Sequence, residues 1–376
     1  LLSALRNRLG DGLRFVGVGG ARMASLGLVS PFDTASLSVL GPFDALAAYP
    51  VVLRRARQTA ALAARERPDI VVLIDAWGFN IRLARMLRRI DPDLPLIKYV
   101  APQVWATRPG RARSLARAVD RLLTIHTFDA HFFVREGLPV TFVGTPALRR
   151  PLSKNPPDRL QSRLGAVSDQ PMLLLLPGSR RGEIERLLGP FEEAVDKLAP
   201  RRPGFQVVIA AAEPVADLVK QRVARWRSRP LIIEGDEARL DAMRAATVAL
   251  ACSGTVTTEL AAAGCPMVVA YRMGALSHLI VKRIIQTPYI TLINVAAQAF
   301  VAPEMIQGRC NGADLAEELA LRLDDADLRA SQIKAQHAAL EIMRGGIDDP
   351  AGAAAEAVIE TLRDQRREKN LDQAVR

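Results

Sequence analysis

Four consecutive leucines, Leu173 to Leu176, run straight into Pro177-Gly178-Ser179-Arg180-Arg181-Gly182-Glu183. A short apolar run without alternation predicts a strand buried on both faces, the habit of a central parallel strand under helices. Pro177 and Gly178 end the strand, and Ser179 is placed to cap a helix opening near Gly182. Such a turn brings backbone N–H groups and a cation to a helix N-terminus, where negative charge is stabilised. Two readings stand at this point: a cradle for a diphosphate, or an ordinary strand–turn–helix junction.

The same alternation recurs along the chain. In the first half, strands are expected at Arg14–Val18, Ile70–Ile74, Leu96–Val100, Leu122–Ile125 and Thr141–Val143. Helices are expected over 81–90, 109–117 and 130–136. Residues 144–170 hold Pro146, Pro151, Pro156 and Pro157 among polar residues and have the composition of a linker. A second series follows, with strands at 172–176, 206–211, 231–233, 248–251 and 267–270. Its helices fall at 182–198, 213–226, 237–244 and 256–263, and the last 60 or so residues read as three more. The pattern predicts an α/β protein with two doubly wound parallel sheets and a ligand cleft between the two domains. The divisions expected are 1–150, 151–345, and a C-terminal helix and charged tail over 346–376 that returns to the first domain.

Composition narrows the function. Three cysteines without paired spacing and four scattered histidines give no disulfide framework and no metal-ligand cluster, so no metal and no cofactor are expected. The net charge of +11 calls for an anionic partner. No nucleic-acid signature accompanies it, and no apolar run is long enough to span a membrane. The stretch 31–50, with Leu37, Val39, Leu40 and Phe43, precedes a basic helix. It reads either as a loop on the core or as an apolar patch that dips into an anionic membrane surface.

Three further places offer chemistry. Asp75 directly follows its buried strand; partly desolvated there, it is a candidate general base, or else it caps the following turn or helix, a role that would fall to Asn80 if Asp75 is free. Ser253-Gly254-Thr255 with Glu259 stand at a strand-to-helix turn, with donors for a phosphate and a carboxylate for ribose hydroxyls; the competing reading is a plain capping motif. Asn294, Glu304 and Gln307 interrupt an otherwise apolar stretch between Tyr289 and Gln307, as a site lining or as a surface loop.

In order and spacing these segments resemble the lipid-A-disaccharide synthases, inverting glycosyltransferases of GT-B architecture. The match runs from Phe15-Val16-Gly17-Val18-Gly19-Gly20 through Asp75 with Phe79-Asn80 and Tyr99-Val100-Ala101-Pro102-Gln103-Val104-Trp105. It continues through Leu176-Pro177-Gly178-Ser179-Arg180, Ser253-Gly254-Thr255 with Glu259, and Asn294 with Glu304-Met305-Ile306-Gln307. The resemblance implies transfer of a diacylated glucosamine from UDP to the 6-hydroxyl of a diacylglucosamine 1-phosphate. It implies Asp75 and Arg180 as catalytic residues. Gly178, Ser179, Arg180, Ser253, Gly254, Thr255, Glu259, Asn294, Glu304 and Gln307 would hold the UDP-sugar. It also implies a peripheral place on the cytoplasmic face of the inner membrane, and a homodimer stays open.

The chain departs from the family pattern at Gly78 and Thr145, where the family has Asp and His, and at Leu292-Ile293-Asn294. The family's first loop, Gly-Glu-x-Ser-Gly-Asp, falls ahead of residue 1, so a preceding segment is expected. A non-catalytic relative that binds nucleotide sugar and membrane, or a related GT-B enzyme with another acceptor, are the alternatives.

Overall fold

The computed structural model describes residues 1–10, 12–34, 49–108, 110–149, 170–274, 279, 283–285 and 287–375. The expected lipid contacts Leu37, Val39, Leu40 and Phe43 lie outside the described residues, as does most of the Pro-rich stretch. The chain divides into two units, Leu1–Pro146 with Gly346–Arg376, and Ala147–Gly345.

The first unit is built on four parallel strands, β1 (Val71–Ile74), β2 (Leu96–Tyr99), β3 (Arg121–Thr124) and β4 (Val140–Phe142), in that spatial order. Helices Tyr49–Glu66, Trp77–Ile90 and Gly110–Ala116 cover one face, meeting Leu73, Leu96 and Leu122. The other face carries Ile97, Tyr99 and Leu123. It packs on Leu5 of the first helix and on Ala354, Ala355 and Val358 of the helix Pro350–Val375. The C-terminal helix thus belongs to the first unit, and Arg121 fastens it by donating to Ala357 O at 3.2 Å and to Glu360 at 2.9 Å.

The second unit holds six parallel strands: β5 (Met172–Leu176), β6 (Gln206–Ala211), β7 (Leu231–Glu234), β8 (Val248–Cys252), β9 (Met267–Tyr271) and β10 (Glu304–Ile306). Their order is β10-β9-β8-β5-β6-β7. The leucine run is central and all its residues are buried. Leu173 and Leu175 face the helices Arg181–Leu198 and Gly312–Asp324. Leu174 and Leu176 face Asp236–Ala245, Thr255–Ala262 and Ala326–Arg344. A strand pressed between two helix layers has no face left for a polar side chain, which is why this run carries none. Chain direction across the sheet reverses between β5 and β8, so the turns after these two strands stand side by side at the switch point, where α/β sheets bind ligands.

Three expectations change. Arg14–Val18 forms no strand: it pairs with no strand among the described residues, and Val16 is 42% exposed. The helix expected over 213–226 is a 3₁₀ turn, Glu213–Val215, followed by Ala216–Val223, because Pro214 donates no N–H and sits at the turn's start. The stretch Tyr289–Gln307, expected to have little regular structure, holds a helix, Leu292–Ala297, and the edge strand β10.

Beyond the end of β3, Phe128 stacks on His126, with ring centroids 5.0 Å apart, and meets Trp105 edge-on at 5.6 Å. Asp129 is buried beside this cluster, and burial raises its carboxyl from 3.8 to about 8. The folded chain therefore keeps a proton that the unfolded chain releases above about pH 4. Between those values the folded state binds more protons, so this group's contribution to stability falls as pH rises toward 8. Asp129→Asn, a neutral isostere, is expected to flatten the decline in thermal midpoint between about pH 5 and 8. Calorimetric melts across that range check it, and a slope equal to the parent's refutes it.

Candidate active site

At the end of β1 the backbone is forced into an uncommon shape. Asp75 and Ala76 have φ of +45° and +37°, and Val100, after the neighbouring strand, has φ of +72°. Left-handed residues other than glycine are costly and persist only where their surroundings hold them. Two side chains do so here. The Asn80 amide donates to Ile74 O at 2.8 Å and to Asp75 O at 2.7 Å. The ammonium of Lys98 donates to Asp75 O at 2.6 Å, Tyr99 O at 3.1 Å and Leu73 O at 3.3 Å. Asn80 therefore pins the turn instead of capping the helix, whose N-cap is Ala76. The turn lifts the Asp75 carboxylate into solvent, so it is exposed and not partly desolvated.

Lys98 is 2% exposed, and burial lowers its pKa from 10.5 to about 7, against the opposing pull of Asp75. Sequence reading passed over it. The available signal was a lone cation inside the apolar run Leu96-Ile97-Lys98-Tyr99-Val100.

In the second unit Arg180, not Ser179, is the N-cap of the helix Arg181–Leu198, and Glu183 completes a capping box. The Glu183 carboxylate accepts from Ser179 N at 3.0 Å and Arg180 N at 3.2 Å, and pairs with the Arg180 guanidinium at 3.0 Å. Gly178 has φ of +118°, and a Cβ there would strike Glu183 at 2.4 Å, so only glycine admits this carboxylate. At the turn where a diphosphate cradle is expected, the chain's own carboxylate takes the N–H groups. Arg180 keeps 57% of its side chain exposed.

Beside it, the turn after β8 presents Gly254 and Thr255 to solvent, and Ser253 Oγ donates to Ile290 O at 3.4 Å. Glu259 is half-buried and ion-paired with Arg239, which also holds Asp236 at 3.0 Å.

Asn294 and Glu304 are buried and bonded to the chain itself. Asn294 is fully buried, donating to Ala302 O and to Glu304, each at 2.8 Å, and accepting from Ala302 N at 3.0 Å. Glu304 accepts from Ile290 N at 2.9 Å, Thr291 N at 2.8 Å and Thr291 Oγ1 at 2.8 Å. Together they fold the segment that reaches Ser253. Gln307, half-buried with φ of +53°, accepts from Met273 N at 2.7 Å and secures the exit of β9. The structure thus gathers Gly178, Ser179, Arg180, Ser253, Gly254 and Thr255 at one sheet edge and puts Asn294 and Glu304 behind it.

Glu304→Ala leaves the amides of Ile290 and Thr291 and one N–H of the buried Asn294 carboxamide unpaired, which is expected to cost about 2–4 kcal/mol. Glu304→Gln, which keeps an acceptor oxygen, costs less. Urea unfolding of both variants orders them, and equal midpoints for Glu304→Ala and the parent refute the role.

The sequence profile of the lipid-A-disaccharide synthetase family matches residues 1–358. The lipid-A-disaccharide synthase of Paramagnetospirillum magneticum is 38% identical over 372 residues, covering 98% of this chain and 95% of that protein. The Nitrobacter hamburgensis synthase is 40% identical over 367 residues, covering 97% and 92%. Among solved structures, one described as trehalose-6-phosphate from E. coli bound with UDP-2-fluoro glucose superposes with a TM-score of 0.55 at 12% identity, covering 89% of this chain and 86% of that one. The last likeness carries the fold alone, two parallel-sheet units of the GT-B class. Identity at this level along nearly the whole length leaves one conclusion: the chain belongs to the lipid-A-disaccharide synthase family and is a glycosyltransferase of lipid A biosynthesis.

Proposed function

We propose that the chain moves a diacylated glucosamine from UDP to the 6-hydroxyl of a diacylglucosamine 1-phosphate, giving a β-1,6-linked disaccharide and UDP. The observation that carries this reading is the Asp75 turn. A strained backbone, pinned by Asn80 and Lys98, holds one exposed carboxylate at the C-terminal end of a parallel sheet. Strain of this kind, maintained by a buried amide and a buried ammonium, marks a group whose position matters.

In this reading Asp75 accepts the proton of the acceptor hydroxyl as its oxygen bonds to the anomeric carbon of the donor. The bond from that carbon to the diphosphate breaks on the opposite side, which inverts the configuration. Charge collects on the departing diphosphate, and the Arg180 guanidinium meets it. The N–H groups of Ser179 and Arg180, now held by Glu183, suit a phosphate oxygen equally well, so the diphosphate takes the place of one carboxylate. Gly254 and Thr255 offer the neighbouring edge to the nucleoside, while Asn294, Glu304 and Gln307 keep that edge in shape.

Both substrates are lipids, which calls for work at an anionic membrane surface on its cytoplasmic side. Among the described residues no helix is long and apolar enough to cross a membrane. The surplus of +11 favours such a surface.

Asp75→Asn is expected to lower kcat about 10²–10⁴-fold while UDP affinity stays within a few-fold. Disaccharide formation from the two lipid substrates measures it, and near-full turnover rules out the base. Arg180→Ala is expected to weaken UDP binding by about tenfold or more, the worth of a charge-assisted contact to phosphate. Calorimetric titration with UDP tests it, and unchanged affinity removes Arg180 from the diphosphate.

A further inference from the structure

A cavity of about 530 Å³ opens on the first unit beside the start of the helix Trp77–Ile90. Four arginines line it, Arg82, Arg85, Arg108 and Arg111, together with Tyr49 and Trp77, and among the described residues no carboxylate does. Among the described residues none of the four forms an ion pair with Asp or Glu. This is unusual company for cations. Arg108 and Arg111 are close enough that Arg108, after burial itself, lowers the pKa of Arg111. Arginines gathered without counter-charge repel one another, and the arrangement gains most from an anion set among them.

The four are also organised. The Arg82 guanidinium lies over the Tyr49 ring at 4.8 Å and that of Arg111 over Trp77 at 5.3 Å. Stacking of this kind uses the flat faces and leaves the N–H edges to grip oxygen atoms in pairs. Arg108 carries φ of +56°, a costly conformation for a residue with no glycine-like freedom, here spent on an arginine that lines the cavity. Arg82 additionally donates to the carbonyl of Gly78, in the first turn after Asp75. A Cβ at position 78 would lie 3.8 Å from Arg82 Nη1, so Gly78 brings no carboxylate to the cavity's cation.

We propose that this arginine-lined cavity is a seat for a phosphate monoester, and that in turnover it receives the phosphate of the acceptor lipid. The second half of the statement rests on the acceptor reading above. It is favoured by position: Trp77, on the cavity wall, is two residues from Asp75, and Arg82 bonds Gly78, three residues from it. The volume suits a phosphorylated hexosamine with its acyl chains directed away. The phosphate group of a membrane headgroup has the same chemistry, and the test separates the two sources.

The test compares the parent with the double variant Arg82→Gln/Arg111→Gln. Calorimetric titration with the water-soluble glucosamine 1-phosphate, and with glucosamine as control, needs no turnover. The parent is expected to bind the phosphate ester and not glucosamine, and the variant to lose tenfold or more of that affinity. Arg82→Lys, which keeps a cation, is expected to recover part of it, while a circular dichroism melt confirms that each variant folds. Equal affinity of parent and double variant overturns the seat altogether.

Kinetics in neutral detergent micelles then tests the occupant. The parent's preference in kcat/KM for diacylglucosamine 1-phosphate over diacylglucosamine is expected to fall toward one in the double variant, through acceptor KM, with donor KM unmoved. If instead the preference is unchanged and the variant loses binding only to phosphatidylglycerol vesicles, the cavity serves headgroups and the acceptor assignment is wrong. A parent that binds glucosamine 1-phosphate through these arginines yet makes no disaccharide refutes the activity and leaves the seat standing.

Discussion

Parallel strands buried on both faces must stop somewhere, and where they stop their backbone N–H and C=O groups lose the ladder while still out of water. An unpaired buried group of this kind costs as much as a broken hydrogen bond. The candidate site is largely the set of side chains that answers this demand. Asn80 and Lys98 take up the carbonyls at the ends of β1 and β2. Glu183 takes the N–H groups after β5, Glu304 those of Ile290 and Thr291, and Gln307 that of Met273 after β9. Long polar side chains do this work because the turns are too tight for the backbone to serve itself.

The two units meet the demand with opposite charge. In the first unit an ammonium and an amide satisfy carbonyls, leaving a carboxylate free to face solvent at Asp75. In the second, carboxylates satisfy N–H groups, and the guanidinium of Arg180 faces solvent beside its own counter-ion. In the proposed reaction the first unit's carboxylate is the base, and the second unit's guanidinium and N–H groups meet the diphosphate. The Glu183 carboxylate accepts from these N–H groups, so in the proposed reaction a diphosphate would exchange with a group of like charge, which keeps the desolvation cost of the N–H groups low.

The first unit also concentrates cations around Tyr49 and Trp77 that have no carboxylate partner among the described residues. The charge surplus of the chain is therefore not spread evenly as a solubility coat. Part of it is organised on the aromatic faces of Tyr49 and Trp77, the latter two residues from Asp75.

Much of this was legible in the residues. The apolar runs at 70–74, 96–100, 172–176, 206–211 and 248–251 announce buried parallel strands, because only side chains that never meet water can be apolar on both faces. The places of Asp75, Arg180, Ser253 and Gly254 were likewise readable, since a polar residue just past such a run stands at the C-terminal edge of the sheet. What the local pattern did not carry was partnership. Glu304 reads as a lining residue until the tertiary fold buries it against Asn294 and Thr291, ten and thirteen residues away. Lys98 reads as an interruption until β1 closes over it, and four arginines from two separate segments read as surface until the helices bring them to one cavity. The sequence by itself determined which segments are buried and where the chain turns. Tertiary structure alone decided which polar groups are consumed by the backbone and which remain for a ligand, because hydrogen-bond satisfaction depends on neighbours that are distant along the chain.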